Sequence, residues 1–247
     1  QSRPNHPTNI PLPLHHAPSL QLTWRCNAAC RFCAIQCSPH RTETMPLALF
    51  EKILGECLEH RDRVQHFEVT GGEVFMELEL LEAVAHRLNE ARFPYAPISN
   101  AFWATSVKRA REVLARIPGI WQIIFSVDRH HQEFVPEQSV INAVRACQQL
   151  GIHSYVTLGY FAGQTGDLTL ASRELRELLE AGDNVEHNFF PAIALGRARD
   201  VCMDEIPDSC AEGPCLMMAR LEISPEGDYD GCCVASTAIP GGLKPFR

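Results

Sequence analysis

The sequence predicts an α/β fold, a parallel sheet covered by helices. Short runs rich in β-branched and aromatic residues alternate with longer amphipathic ones, no low-complexity linker breaks the alternation, and it repeats through at least five βα units. That beat belongs to a doubly wound sheet or to a complete or partial barrel, and periodicity does not choose between them. Strands are expected at Leu20–Trp24, His66–Thr70, Tyr95–Asn100, Trp121–Val127, His153–Tyr160 and His187–Pro191. Helices are expected at Pro46–His60, Glu77–Ala91, Ser106–Ile117, Pro136–Leu150 and Leu168–Ala181, with Pro46 and Pro136 in first turns and Gly151 as a C-cap. In either architecture, reactive groups gather in the loops that leave the carboxyl ends of the strands. From Arg197 onward the rhythm stops, and a tail containing Cys and Gly offers one strand pair, Arg220–Ser224 and the stretch after Asp228. The tail is a candidate accessory module.

A chain of 247 residues can bury a sizeable core. Its 30 Asp and Glu against 22 Lys and Arg leave no broad basic field, which argues against nucleic acid or an anionic membrane surface as partner. No apolar run approaches the roughly 20 residues that cross a bilayer. The start, Gln1 to His16, is Pro- and His-rich rather than signal-like, its pair His15 and His16 reads as surface, and the expectation is a soluble, cytoplasmic protein. The 11 cysteines fit either a disulfide framework or thiolates kept for metal. Length and grouping favour metal. One group is Cys26, Cys30, Cys33 and Cys37, another is Cys202, Cys210, Cys215, Cys232 and Cys233, and Cys57 and Cys147 stand alone. The two single cysteines read as core, Cys57 on a helical face with Phe50, Leu54 and Leu58, Cys147 on one with Val140 and Val144.

The first cysteine group directly follows the first strand, as Cys26-Asn27-Ala28-Ala29-Cys30-Arg31-Phe32-Cys33. Three thiolates on one short loop suit three irons of a [4Fe–4S] cube, with the fourth iron open. Zinc is the competing reading, with Cys37 as fourth ligand, but zinc favours paired CxxC knuckles and no second knuckle is in reach. The second strand closes on Thr70-Gly71-Gly72-Glu73, where glycines let the backbone come close to a ligand. Together these two segments resemble the CxxxCxΦC and GGE motifs of the radical S-adenosylmethionine (SAM) superfamily, with Phe32 in the aromatic slot. The resemblance implies a SAM-binding [4Fe–4S] cluster on Cys26, Cys30 and Cys33, with Phe32, Thr70, Gly71, Gly72 and Glu73 around the cofactor. It also places Ser99, Asn100, Ser126 and Asp128, at later strand ends, against the cofactor's carboxylate or ribose. Each of those residues serves a helix cap or turn equally well. Arg129-His130-His131 brings groups that titrate near neutrality, and His131 is the candidate for touching substrate.

In the tail, Cys215 is followed after eleven residues by Gly227 and after four more by Cys232, with Cys210 just upstream. This resembles the opening of the SPASM and twitch modules, and implies one auxiliary iron–sulfur cluster on Cys210, Cys215, Cys232 and either Cys202 or Cys233. A zinc staple is the alternative, since four thiolates suit it equally. No cysteine follows Cys233, so the full SPASM pattern is incomplete.

Taken over the chain, the resemblance implies a partial (βα)6 TIM-type barrel at 20–196, a small Cys-rich C-terminal module at 197–247 and a Pro-rich extension at 1–19. It implies an enzyme that receives electrons from a flavodoxin- or ferredoxin-type donor and cleaves SAM to a 5′-deoxyadenosyl radical. A ribosomal peptide is the preferred substrate, as for relatives with SPASM or twitch modules, and a small metabolite is the alternative. The rival from another class is a non-catalytic iron–sulfur or zinc protein, which has no use for an open iron beside Gly71 and Gly72.

Overall fold

The structure is a computed structural model and describes residues 17–199, 204, 221–230 and 244–245. The segment Gln1 to His16 and the tail cysteines Cys202, Cys210, Cys215, Cys232 and Cys233 lie outside the described residues.

Six βα-type strands follow the chain in order: β1 Ser19–Thr23, β2 Phe67–Gly71, β3 Tyr95–Ser99, β4 Gln122–Val127, β5 His153–Tyr160 and β6 Val185–Pro191. Helices α1 Leu47–Glu59, α2 Leu78–Glu90, α3 Val107–Leu114, α4 Glu137–Leu150 and α5 Arg173–Ala181 connect them. Beyond β6, β7 Glu222–Ile223, β8 Asp228–Asp230 and β9 Lys244–Pro245 extend the sheet. Its order is β6-β5-β4-β3-β2-β1-β7-β8-β9, parallel from β6 through β7 and antiparallel beyond.

This order settles what periodicity left open. Consecutive strands are neighbours, and right-handed crossovers then put every helix on one face of the sheet. A doubly wound sheet needs a reversal of strand order, and none occurs from β1 to β6. The architecture is a partial barrel. Its outer face explains the sequence pattern: Leu20 pairs with Val69, and both point to the helices with Phe67, Ile123, Phe125, Val156 and Leu158. Phe50 and Ile53 of α1, Leu81 and Leu88 of α2, and Val144 of α4 close on that layer. Each such side chain, fully buried, contributes about 1.5–3 kcal/mol. One residue out of phase, Gln21, Glu68 and Glu222 face the inside, where Gln21 Nε2 donates to Glu222 at 3.3 Å.

Several expectations are corrected. Pro46 and Pro136 sit one residue before their helices, with extended ψ of 138° and 142°, as N-caps rather than first-turn residues. The stretch expected as one helix from Leu168 is a 3₁₀ turn, Leu168–Leu170, followed by a separate start at Arg173. Leu58 is exposed, whereas Cys147, Val140 and Val144 are buried as expected and Cys57 packs partly against the core. Gly151 caps α4 in the left-handed region at φ 70°.

Candidate active site

The loop that leaves β1 is closed on itself before it carries any chemistry. Cys26 N–H donates to Ser38 O at 3.1 Å and Ser38 N–H to Trp24 O at 3.4 Å, so residues 24–38 form a pinched loop. Within it Cys33 N–H donates to Cys30 O, which turns the thiols toward a common side. From β2, Gly72 N–H donates to Thr23 O at 2.6 Å and Glu73 N–H to Arg25 O at 2.9 Å. That approach requires glycine: a Cβ on Gly71 would stand 2.1 Å from Thr23 O, and one on Gly72 2.1 Å from Arg25 O.

A cavity of about 200 Å³ results. Cys26, Cys30, Cys33 and Cys37 line it with Phe32, Thr70, Gly71, Gly72, Ser99, Asn100, Ser126 and His131. The structure thus brings together most of the residues expected from sequence, drawn from four successive strand exits. Glu73 and Asp128 are different, for they stand behind the wall. Glu73 is fully buried and accepts from Ser99 Oγ at 2.9 Å, Asn100 N–H at 2.8 Å and Phe75 N–H at 3.2 Å. Asn100 Nδ2 in turn donates to Asn27 Oδ1 at 2.9 Å, which ties the exits of β1, β2 and β3 into one network. Asp128 accepts the N–H groups of His130 and His131, each at 2.9 Å, and binds His131 Nδ1. His130 is buried, with Nδ1 2.8 Å from Glu133 Oε1, rather than a solvated loop histidine. Phe32 does more than fill a motif slot, since its ring meets Phe161 at 5.2 Å, His130 at 5.4 Å and His131 at 5.6 Å.

Burial dominates the electrostatics of the thiols. It pushes Cys26 up to about 12 and raises Cys30 as well. Cys33 is lowered, chiefly because the Cys37 thiol hydrogen-bonds to its sulfur, and Cys37 is raised in exchange. Thiols that resist ionisation alone become thiolates when they ligate metal, and metal binding releases their protons. Among the described residues no three His, Cys, Asp or Glu side chains converge on one metal-ion position. Three thiols spread around a cavity suit a multi-iron cluster, whose irons take separate ligands.

Sequence reasoning missed Gly196 and Arg197, at the end of the last barrel strand's connection. Arg197 lines the cavity, donating from Nε to Cys30 O at 2.9 Å and from Nη2 to Cys37 O at 2.7 Å. Its partners are backbone carbonyls, which leave no trace in residue types.

No family model matches the chain. YydG of Bacillus subtilis (strain 168), provisionally named for peptide biosynthesis, is 26% identical over 183 residues, 73% of this chain. The chain spans 56%, about half, of that curated relative. The solved structure of BtrN in complex with AdoMet and 2-DOIA is similar over 89% of this chain and 73% of that one, with a TM-score of 0.52 at 15% identity. A radical SAM methyltransferase from Sphaerobacter thermophilus is similar over 71% of this chain and 55% of that one, with a TM-score of 0.52 at 19% identity. What is shared at these identities is the fold: this chain has the partial-barrel fold of radical SAM enzymes.

Proposed function

We propose that the chain is a radical SAM enzyme in which Cys26, Cys30 and Cys33 hold a [4Fe–4S] cluster with one iron left for SAM. One observation carries the reading: these three thiols, from the exit of β1, line one cavity with Thr70, Gly71 and Gly72 from the exit of β2. When bound, cluster and SAM together supply a reductive cleavage that yields a 5′-deoxyadenosyl radical able to take hydrogen from a substrate.

The chain's own residues position, orient and shield. The N–H groups of Gly72 and Glu73 are spent on Thr23 and Arg25, so an ammonium group at this turn is received by carbonyl oxygens. Ser99, Asn100 and Ser126 also line the cavity and offer hydroxyl and amide groups to a nucleoside. Asp128 orients His131, which lines the same cavity and is the group offered to the substrate. The buried Glu73 network fixes Ser99 and Asn100 from behind the cavity wall. In this reading Cys37 hydrogen-bonds to Cys33 and leaves the cluster to Cys26, Cys30 and Cys33.

The finer reading extends to the tail, where Cys210, Cys215, Cys232 and either Cys202 or Cys233 hold one auxiliary cluster of SPASM or twitch type. The C-x11-G-x4-C spacing supports it. A flavodoxin- or ferredoxin-type protein delivers the electron. The substrate is a ribosomal peptide, a reading supported by the name of the Bacillus subtilis relative. No helix among the described residues is long and apolar enough to cross a membrane.

Anaerobic reconstitution tests this. The loaded protein is expected to show iron–sulfide absorption and to turn SAM into 5′-deoxyadenosine under a strong reductant. Cys30→Ala abolishes the conversion, whereas Cys37→Ser preserves it. Zinc in place of iron, or SAM left intact, sinks the reading. Incubation with candidate precursor peptides, followed by mass spectrometry, decides the substrate class by whether a peptide changes mass.

A further inference from the structure

Sheet order leaves the barrel's mouth spanned by something other than strand pairing. β6 lies at one edge and β1 lies five places away, so among the described residues no backbone ladder joins their exits. Gly196 and Arg197, a few residues past β6, cross that distance and lie against the cysteine loop. Arg197 N–H donates to Cys33 O at 3.1 Å, its Nε to Cys30 O at 2.9 Å and its Nη2 to Cys37 O at 2.7 Å. One residue therefore holds the carbonyls of three cysteines. Gly196 has φ 55°, and a Cβ there would stand 2.0 Å from Ala34 O and 2.6 Å from Cys33 O. Backbone meets backbone at that point, which admits glycine alone.

We infer that Arg197 is a positioning residue for the three-thiol loop, and that Gly196 and Arg197 form a strap fixing both the shape of the loop and the charge beside its cluster. The inference rests on the reading of Cys26, Cys30 and Cys33 as cluster ligands. Two features of the side chain matter. A guanidinium is a planar fork whose separate N–H groups reach two carbonyls at once, which an ammonium on a flexible stem does not reproduce. It is also a permanent cation on the cavity wall, close to where thiolates and sulfides accumulate negative charge. Net charge and hydrogen bonding around a cluster are the protein's levers on its reduction potential, and groups that hold a ligand's backbone orient the ligand itself. Reduction adds an electron, and a nearby cation favours the more negative state.

The strap also explains why the sheet remains open without losing definition at its mouth. The loop carrying the thiols is gripped from β2 by Gly71 and Gly72, and from the far edge by Gly196 and Arg197. Neither grip alone covers the loop: the first reaches Thr23 and Arg25, the second Cys30, Cys33, Ala34 and Cys37.

The test uses the full chain, reconstituted anaerobically, as wild type, Arg197→Gln, Arg197→Lys and Gly196→Ala. The readouts are iron per chain, the EPR line shape of the reduced cluster signal that SAM perturbs, and its midpoint potential by redox titration. At equal iron content, Arg197→Gln is expected to disfavour one-electron reduction about tenfold, a negative shift of about 59 mV. Arg197→Lys keeps most of the potential but alters the line shape, because charge survives and the fork does not. Gly196→Ala alters the line shape with every donor still present. Wild-type potential and line shape in both Arg197→Gln and Gly196→Ala overturn the inference. Should Arg197→Gln load no iron, the line shapes of the Lys and Ala variants decide, and wild-type line shapes in both overturn it. A wild-type protein without a SAM-perturbed signal instead fails the underlying reading, before any variant is compared.

Discussion

Asp128 sets what its neighbour can do. One oxygen accepts two backbone N–H groups and the other binds His131 Nδ1, leaving Nε2 as the ring nitrogen Asp128 does not engage. Burial pushes His131 down, but the Asp128 charge and hydrogen bond outweigh it and hold the imidazole above its ordinary range. Burial likewise pushes Asp128 up, and the attraction of His131 and its hydrogen bonds hold the carboxyl below the usual carboxylate range. Each group thereby favours the charged form of the other. Glu73, two strand exits away, has the opposite fate. It has three hydrogen-bond donors yet, among the described residues, no salt-bridge partner, and burial lifts it from 4.5 to about 7. A carboxyl raised in the folded state stabilises the fold fully below its unfolded value, and that contribution is lost as pH rises through the folded one. Between pH 4.5 and about 7 the loss amounts to about 3 kcal/mol, at 1.36 kcal/mol per pH unit. Urea unfolding of metal-free wild type and Glu73→Gln across this window checks it. The stability of wild type relative to the variant is expected to fall with rising pH, and a difference that rises instead would mean that Glu73 is ionised throughout.

Helix α1 contains a residue that its fold does not need. Gly55 is exposed in the helix interior, and a Cβ built there meets nothing within 4 Å. Glycine at such a position costs about 0.5–1 kcal/mol relative to alanine, through the freedom it loses on folding. Gly55→Ala is therefore expected to raise the melting temperature of the metal-free protein by about 1–4 °C in calorimetry, and a fall would show that α1 uses the flexibility. The same local rules tell which elements could be read in advance. The strands were legible because Leu20, Leu22, Phe67 and Val69 face a helical layer, and burial imposes their residue types. The start of α5 was not legible. Apolar spacing runs on from Leu168, while Asp167 caps a single 3₁₀ turn through Thr169 N–H and Ser172 opens the helix by accepting from Leu175 N–H. Two capping residues in one apolar run give two starts, and periodicity sees one. The thiols of the cavity were legible because residue type and spacing are themselves the signal, as were Gly71 and Gly72, whose close approach is to the strand and loop of β1. Arg197 was invisible because carbonyl acceptors are carried by every residue, 160 and 167 positions away in sequence.

At the scale of the whole molecule, the question is whether the hairpin after Leu221 belongs to the barrel or merely follows it. β7 pairs parallel to β1, with Ser19 opposite Glu222 and Leu20 opposite Ile223, so it lies on the edge that β2 leaves free. Ile223 is 1% exposed and joins the same apolar cluster as Leu20 and Phe50. On the inner face Gln21 donates to Glu222 and accepts from Trp24 Nε1 at 2.6 Å, which links the hairpin to the first residues of the cysteine loop. An exposed β1 edge would be a site for unwanted strand pairing, and β7 covers it. If the hairpin is part of the barrel's cooperative unit, emptying the Ile223 site destabilises the barrel itself. Ile223→Ala is expected to cost about 2–5 kcal/mol. All 3 tryptophans, Trp24, Trp103 and Trp121, lie in the barrel segment, so their fluorescence follows the unfolding of that segment. Urea unfolding followed by this signal should show the variant's midpoint lowered with its slope unchanged, the mark of lost stability within one unit. A midpoint equal to that of wild type would instead make the hairpin a separately folding appendage, with β1 able to hold its place through β2 alone.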